Sequence, residues 1–275
     1  MNKRILKSPL AQGKGPKVGF FDIETAPILA NVWATFKQNV GLNMIKSDWY
    51  ILSYAFNTLG TDRVIYKDQR HAKDIEDDSK LVMDLWHFLD DHDVVVAHNG
   101  RRFDVKKCNA RFLAMGMPPP SPCKIVDTLE VMKRHFALTS NKLEYATDLL
   151  CNNKKLKHGK FPGFDLWKEC LKGNMEAWQE MEDYNRMDVL SLRELYFVLL
   201  PWMDLHPNFA NYVNAEKPMC PKCGSDKLNK RGTYRNQYTQ YQRYQCDCCG
   251  GWVRGRTLKN TIEARKQMLT GITTG

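Results

Sequence analysis

The sequence predicts a mixed α/β sheet flanked by helices, followed by a small cysteine-rich β domain. Apolar strand-like runs stand in series near the start, later runs alternate with helical patterns, and two Cys-x-x-Cys pairs stand near the end. The 275 residues suffice for one sizeable domain and a small one, and 43% hydrophobic residues are typical of a globular protein. No segment approaches the roughly 18 apolar residues of a membrane-spanning helix, so no membrane partner is expected.

The strands are predicted from short apolar runs that end at turn residues. The first three runs stand in series, and the turn GTD separates the second from the third. A β-branched run that ends at Asn99-Gly100 is typical of a buried strand, and a fifth run leads directly into a helix. The five segments are KVGFFDIE, WYILSYAFNTLG, DRVIYKD, DVVVAHNG and CKIVD.

Helices are predicted where apolar residues recur at helical spacing. The longest pattern forms one or two helices that end near Pro201, because proline cannot continue a helix. The basic stretch NNKKLKHGKFPGF is predicted to be a surface loop. The helical segments are DDSKLVMDLWHFLDDH, DVKKCNARFLAMG, TLEVMKRHF, NKLEYATDLL, GFDLWKECL and MEAWQEMEDYNRMDVLSLRELYFVLLPWM.

Five parts are expected along the chain. A flexible basic arm (1–16) precedes the α/β domain (17–203), a linker (204–217) leads to the cysteine-rich domain (218–260), and a tail (261–275) follows. The arm is not expected to be a secretory signal, because no apolar run follows its basic residues.

Positive charge and cysteine are both concentrated near the C-terminus. Residues 201–275 carry a net charge of +7, out of +10 for the chain. This excess indicates a polyanionic partner, nucleic acid first, and the alternative is a basic surface that only aids solubility. Five of the nine cysteines lie within thirty residues, which favours a metal site in a reducing compartment.

The segment VGFFDIETAP places two carboxylates, Asp22 and Glu24, directly after an apolar run. Residues two apart on a strand point to the same face, where two buried carboxylates repel each other. A hard divalent cation removes that repulsion and prefers oxygen ligands. The pair therefore predicts part of a metal site.

Further acids follow in contexts that favour the same site. Asp104 stands five residues after Asn99 at the start of a predicted helix, and Tyr184 and Asp188 are four apart on one helix face. Taken singly, each has a simpler interpretation: Asp104 as a helix cap, Asn99 as a turn residue, and the pair on the helix as solvated surface. Phe103 is expected to belong to the core. The order of the segments along the chain favours the metal site.

The segments FDIET, AHNGRRFD and YNRMD resemble, in order, the three motifs of the DEDD (DnaQ-like) 3′–5′ exonucleases of the ribonuclease H-like superfamily. The tyrosine of the third segment resembles the DEDDy branch, which includes proofreading domains of family B DNA polymerases. The resemblance spans about residues 17–202 and extends to phage and prokaryotic members. It implies a ribonuclease H-like fold, a DNA substrate rather than RNA, and a prokaryotic or phage-infected cytoplasm.

The resemblance also implies roles for individual residues. Asp22, Glu24 and Asp188 would hold one Mg²⁺ or Mn²⁺, and Asp22 with Asp104 would hold a second, so that two ions stabilise the attacking and leaving oxygens of a phosphodiester. Tyr184 would orient, and help to deprotonate, the attacking water. The remaining candidates are substrate contacts: Thr25, Ala26, His98 and Asn99.

The cysteine pairs predict a structural zinc site. Cys220-x₂-Cys223 and Cys246-x₂-Cys249 supply four thiolates at the spacing of tetrahedral Zn²⁺, and a glycine follows each pair at the tight turn. Cys248 is spare, because its spacing from Cys246 is poor for chelation. The pattern is similar to zinc-ribbon domains.

Tyrosines and arginines alternate between the two cysteine pairs. Tyr234, Arg235, Tyr238 and Arg243 are expected to contact nucleic acid, since aromatics stack on bases and arginine neutralises phosphates. The alternatives are a small core of the ribbon itself, and docking onto a replication or repair protein. At the level of the whole chain, two alternatives to the exonuclease are a catalytically silent nucleic-acid-binding protein and a structure-specific endonuclease on the same fold.

Overall fold

The computed structural model describes residues 3–153 and 159–272. Residues 154–158 of the predicted basic loop, the first two residues of the predicted arm and the last three of the predicted tail lie outside them. The chain divides into two compact units, which are described separately. Among the described residues, the first unit is 17–196, and the second combines 3–16 with 197–272.

The first unit contains seven strands among the described residues. They are β1 (Val18–Thr25), β2 (Leu29–Ala30), β3 (Ile45–Ser47), β4 (Ile51–Thr58), β5 (Val64–Asp68), β6 (Val94–Ala97) and β7 (Lys124–Asp127). Five form one sheet in the order β5-β4-β1-β6-β7, and β2 pairs with β3 in a separate hairpin. β4 is antiparallel to β1 and β5, whereas β6 is parallel to β1 and β7. The predicted mixed sheet is confirmed.

Among the described residues, six α-helices flank this sheet. They are α1 (Ser79–Asp90), α2 (Asp104–Ala114), α3 (Thr128–His135), α4 (Leu143–Leu150), α5 (Asp165–Leu171) and α6 (Met175–Leu199). The longest predicted pattern forms a single helix, α6, followed by a short 3₁₀ turn that contains Pro201. The proline thus ends the α-helix where the sequence predicts.

Successive side chains of β1 point to opposite faces of the sheet and therefore pack against different helices. Phe21 and Ile23 belong to the core beneath α1 and α2. The intervening Phe20 packs on the other face against Tyr196 of α6, with ring centroids 5.4 Å apart. Because successive strand residues alternate, Asp22 and Glu24 share the face that carries α6.

The second unit is a three-stranded antiparallel sheet with a short helix. Its elements are β8 (Leu228–Arg235), β9 (Gln240–Cys246), β10 (Trp252–Leu258) and α7 (Ile262–Lys266). The strand order is β10-β9-β8, so β9 is the middle strand and β8 and β10 are the edges.

The second unit also takes in segments that the sequence assigns to an arm and a linker. Ile5 and Leu10 of the arm are buried, and the Leu10 amide donates to the Cys223 carbonyl at 3.2 Å. Phe209 of the linker is buried too, close beside Gly15. These segments differ from the expectation because the cysteine-rich region is too small to bury a core alone and recruits apolar residues from its flanks.

Among the described residues, no helix combines the length and apolar character needed to cross a membrane.

Candidate functional site

Three carboxylates converge where β1 faces α6. Asp22 and Glu24 come from β1, and Asp188, which is 2% exposed, comes from the middle of α6. One carboxylate oxygen from each lies within 4.8 Å of the others. Carboxylates accept hydrogen bonds only, so this donor set fits a hard divalent cation that neutralises their mutual repulsion. The structure thus brings together three of the four predicted acids.

Asp104, the fourth acid, approaches from the N-terminus of α2. Its Oδ1 accepts a hydrogen bond from the Ile23 amide at 3.2 Å, which ties the carboxylate to β1 between the two acids of the strand. Burial raises the pKa of Asp104 to about 7, and repulsion from Asp127 adds to this rise. A nearby cation would favour the charged form, which makes Asp104 suited to a second metal position.

Tyr184 stands one helical turn before Asp188. The side chain is 7% exposed and packs in the core beside Trp167, with ring centroids 6.4 Å apart. Burial, followed by the charges of Asp188, Glu24 and Asp22, raises the pKa of the Tyr184 phenol. The hydroxyl is therefore protonated in the metal-free protein and can act as a hydrogen-bond donor at the site.

A pocket of about 640 Å³ opens over these groups. All five predicted catalytic residues line it, together with the predicted contacts His98 and Asn99. Phe103 also lines it and is 38% exposed, so the sequence-based expectation of a core residue is wrong. Phe103 directly precedes the first residue of α2, and this position, rather than its apolar character, places its side chain at the pocket.

His98 and Asn99 hold the turn that follows β6. The His98 ring bonds through Nδ1 to Thr128 Oγ1 and through Nε2 to the Asn141 carbonyl, both at 2.9 Å. Asn99 adopts a left-handed φ of +67°, a conformation that asparagine tolerates better than most residues. Its amide donates to Asp127 Oδ1 at 2.9 Å. Both residues thus shape the pocket wall while lining it.

Thr25 and Ala26 are not among the residues that line the pocket. Thr25 is half-buried at the end of β1, and the Ala26 side chain is buried in the core beneath α5 and α6. The Ala26 amide is engaged by the Tyr50 carbonyl at 2.9 Å. The side chain and amide of Ala26 are therefore occupied within the fold, which leaves its carbonyl for any backbone contact.

Asn185 is a site residue that sequence reasoning missed. It is fully buried on α6, and its Nδ2 donates to Asp22 Oδ2 at 2.7 Å while Ser53 Oγ donates to its Oδ1 at 3.3 Å. In the sequence, Asn185 directly follows Tyr184, and no motif or spacing indicates that its amide contacts Asp22. Its role follows from the face of α6 that meets β1.

Two cations of the pocket were also missed. Lys133 of α3 and Lys142, which precedes α4, line the same pocket as the acids of β1. In the sequence they are indistinguishable from the solvated lysines of helix surfaces.

The second unit gathers the four predicted zinc ligands. The sulfurs of Cys220, Cys223, Cys246 and Cys249 lie within 4.8 Å of one another, with 3.7 Å for the 220–249 and 223–246 pairs. Tetrahedral coordination with Zn–S bonds of about 2.3 Å separates sulfurs by about 3.8 Å. The donor set therefore fits Zn²⁺.

Tight turns hold these cysteines in place. Gly224 and Gly250 have left-handed φ values of +75° and +81°, and their amides donate to the carbonyls of Cys220 and Cys246, both at 2.9 Å. Cys248 stands outside the four-sulfur group, and its thiol donates to the Arg4 carbonyl at 3.2 Å. The spare cysteine is thus a packing residue of this unit.

The four predicted nucleic-acid contacts of the second unit lie on or beside its sheet. Tyr234 and Tyr238 are 42% and 41% exposed, and Arg235 is exposed on β8. Arg243 is exposed as well, but its guanidinium stacks on Trp252 at 4.9 Å and its Nε donates to the Arg231 carbonyl at 2.8 Å. All four residues belong to the second unit, whereas the residues that line the acidic pocket belong to the first.

Comparison with known proteins gives a family for the chain. One similar solved structure is that of the family B DNA polymerase of the hyperthermophilic archaeon Pyrobaculum calidifontis, at 16% identity and a TM-score of 0.44. The match covers 81% of this chain but 31% of the polymerase. No curated protein matches the chain. A family model described as the RNase_H superfamily matches residues 39–200, which is more than half of the chain. The chain therefore belongs to the RNase_H superfamily.

Proposed function

We propose that the chain is a metal-dependent 3′–5′ exonuclease of the DEDDy type that acts on single-stranded DNA. Members of the superfamily are generally nucleases and usually use divalent metal ions. The observation that carries the proposal is the cluster of Asp22, Glu24 and Asp188, with their oxygens within 4.8 Å, in a pocket that also holds Tyr184 and Asp104.

The acids would share two Mg²⁺ or Mn²⁺ ions. Asp22, Glu24 and Asp188 would hold one, and Asp22 with Asp104 would hold the other. When bound, such a pair stabilises charge on the attacking and leaving oxygens of a phosphodiester. The chain itself holds these carboxylates in place: Asn185 fixes Asp22, and the Ile23 amide fixes Asp104.

Tyr184 would orient the attacking water. The raised pKa keeps the Tyr184 hydroxyl protonated. Tyr184 would therefore align the attacking water as a hydrogen-bond donor rather than remove the proton of that water. Lys133 and Lys142 would meet the phosphates of the strand, and His98 and Asn99 would line the binding position of its terminal nucleotide. Thr25 and the Ala26 carbonyl remain candidates for backbone contact with that nucleotide.

The second unit would bind nucleic acid while its four cysteines hold a structural Zn²⁺. The exposed Tyr234, Arg235 and Tyr238, with Arg243, support this assignment because aromatic and cationic groups together suit single strands. A replication or repair protein is the other partner that this surface could accept.

Digestion of a 5′-labelled single-stranded DNA oligonucleotide with Mg²⁺ or Mn²⁺ tests the proposal. We expect a ladder that shortens from the 3′ end, an untouched circular DNA, and slower digestion of an RNA of the same sequence. The double variant Asp22→Ala, Glu24→Ala should lose digestion while its thermal unfolding stays cooperative. Cleavage of the circle would indicate an endonuclease instead, and digestion by the double variant would contradict the assigned site.

A further inference from the structure

The hairpin that follows the acid pair exposes an unusual amount of apolar surface. It comprises β2, β3 and the connection between them, residues 29–47. Trp33 is 95% exposed, Phe36 78% and Leu42 88%. Large apolar side chains exposed together on one segment mark a contact surface.

The hairpin begins five residues after Glu24, and its base is linked to the pocket by stacked groups. Lys107 Nζ lies 3.5 Å above the ring of Trp49, two residues beyond β3, and 5.8 Å from the ring of Phe103. Phe103 lines the acidic pocket. A row of aromatic and cationic groups thus leads from the pocket to the base of the hairpin.

The charges of the hairpin point to a polyanion. Residues 25–47 contain no aspartate or glutamate, and Lys37 and Lys46 are exposed within them. A strand of nucleic acid pairs phosphates with such cations and stacks its bases on exposed rings. An acidic partner would contact only the lysines, and a purely apolar partner would contact only the exposed rings.

We propose that the hairpin 29–47 binds the single strand behind its terminal nucleotide, with Trp33 and Phe36 stacked on unpaired bases. This rests on the proposed function, because the strand is the one whose end lies in the acidic pocket. Lys37 and Lys46 contact the phosphates between the stacked bases. The hairpin is thus a second binding surface, which sets affinity and the number of nucleotides removed per encounter.

Binding of a fluorescein-labelled single-stranded DNA, measured by anisotropy without added Mg²⁺ or Mn²⁺, tests the hairpin independently of cleavage. The variants are Trp33→Ala and Phe36→Ala, with Trp33→Phe to restore a ring and Leu42→Ala as a matched control that removes exposed apolar area without a ring. Each loss of a ring should weaken binding about tenfold. Trp33→Phe should restore most of it, and Leu42→Ala should leave it unchanged.

A digestion series on the same variants separates the two proposals. Trp33→Ala and Phe36→Ala should raise KM about tenfold for a long oligonucleotide at unchanged kcat, and leave a dinucleotide, which fits the pocket alone, digested at the wild-type rate. If the wild-type protein digests nothing but Trp33→Ala and Phe36→Ala still weaken DNA binding, the hairpin binding surface is supported and the proposed exonuclease activity is contradicted.

Normal digestion with unchanged binding in all four variants would overturn the hairpin surface alone. An effect of Leu42→Ala as large as that of Trp33→Ala would also overturn it, because it would indicate an apolar protein-docking surface. Matched thermal unfolding of the variants excludes a folding defect, as all three substituted side chains are exposed.

Discussion

At the scale of single residues, the candidate site depends on groups that hold the acids as much as on the acids. Asp22 is held by Asn185, which in turn is held by Ser53. Both supporting residues are fully buried, so water cannot replace them. Such partners orient a carboxylate and limit the number of positions in which it can meet a metal ion.

Replacement of Asn185 by alanine should weaken metal binding. Oδ2 of Asp22 would lose its amide donor, and we expect the Mn²⁺ concentration for half-maximal digestion to rise about 10- to 100-fold. A Mn²⁺ titration of the nuclease activity measures this shift. Ser53→Ala is the matched control, since it removes the bond to Asn185 but leaves the amide donor of Asp22 in place, and its shift should be smaller. An unchanged titration in Asn185→Ala would show that Asp22 is positioned without the amide.

At the scale of elements, β1 is the central strand that both positions the acids and packs closely on α1. Gly19 lies where a Cβ would stand 2.5 Å from Phe88 Cζ and 2.8 Å from His92 Cδ2. The sheet and helix therefore approach to a distance that only glycine allows at this position. Asp22 and Glu24 lie on the same strand as Gly19. Their positions therefore depend on the close packing of β1 on α1.

Replacement of Gly19 by alanine should destabilise the first unit by about 1–3 kcal/mol, because Phe88 and His92 are core side chains that cannot move away freely. Chemical denaturation measures the change. Gly159→Ala is the control, since nothing lies within 4 Å of a Cβ placed there. An equal free energy of unfolding for Gly19→Ala and wild type would contradict this prediction, because it would mean that α1 can move away from the added methyl group without loss of stability.

His92 couples the stability of the same elements to pH. Its Nδ1 donates to the Phe88 carbonyl at 2.6 Å, its Nε2 lies 2.9 Å from Thr58 Oγ1, and burial lowers its pKa below the ordinary 6.5. Below about pH 6.5 the unfolded chain binds a proton that the folded chain does not, so the free energy of unfolding should decrease as pH falls.

Denaturation of wild type and His92→Gln between pH 8 and pH 5 measures this dependence. The variant should lose part of the decrease in stability, whereas His71→Gln, at an exposed position, should retain all of it. Identical slopes in wild type and His92→Gln would contradict the assignment.

At the scale of the whole molecule, the two units carry two kinds of candidate metal site. The first has an acidic cluster on a sheet with its own core, and the second has a four-sulfur cluster in a unit of three short strands. We expect the small unit, which has few buried apolar residues, to depend on a bound metal for folding, and the larger unit to fold without one.

Removal of zinc should therefore unfold the second unit selectively. Cys246→Ser, which loses one of the four sulfurs, should expose residues 218–260 to hydrogen exchange while the sheet of the first unit stays protected. Cys248→Ser is the matched control, because that sulfur lies outside the cluster and should leave zinc content unchanged. Equal protection of residues 218–260 in both variants would show that zinc is dispensable for this unit.

The sequence by itself determined the order of the five main-sheet strands and of helices α1 to α6, the acids with Tyr184, and the four cysteines, but not the hairpin of β2 and β3. These carry local signals: period, turn residues and the spacing of ligand types. Only the tertiary structure decided that Phe103 faces the pocket, that Asn185 holds Asp22, and that Ile5 and Phe209 complete the core of the second unit. Each of these depends on which face of one element meets another distant in sequence. Such contacts are fixed by packing and leave no period or spacing in the chain to read.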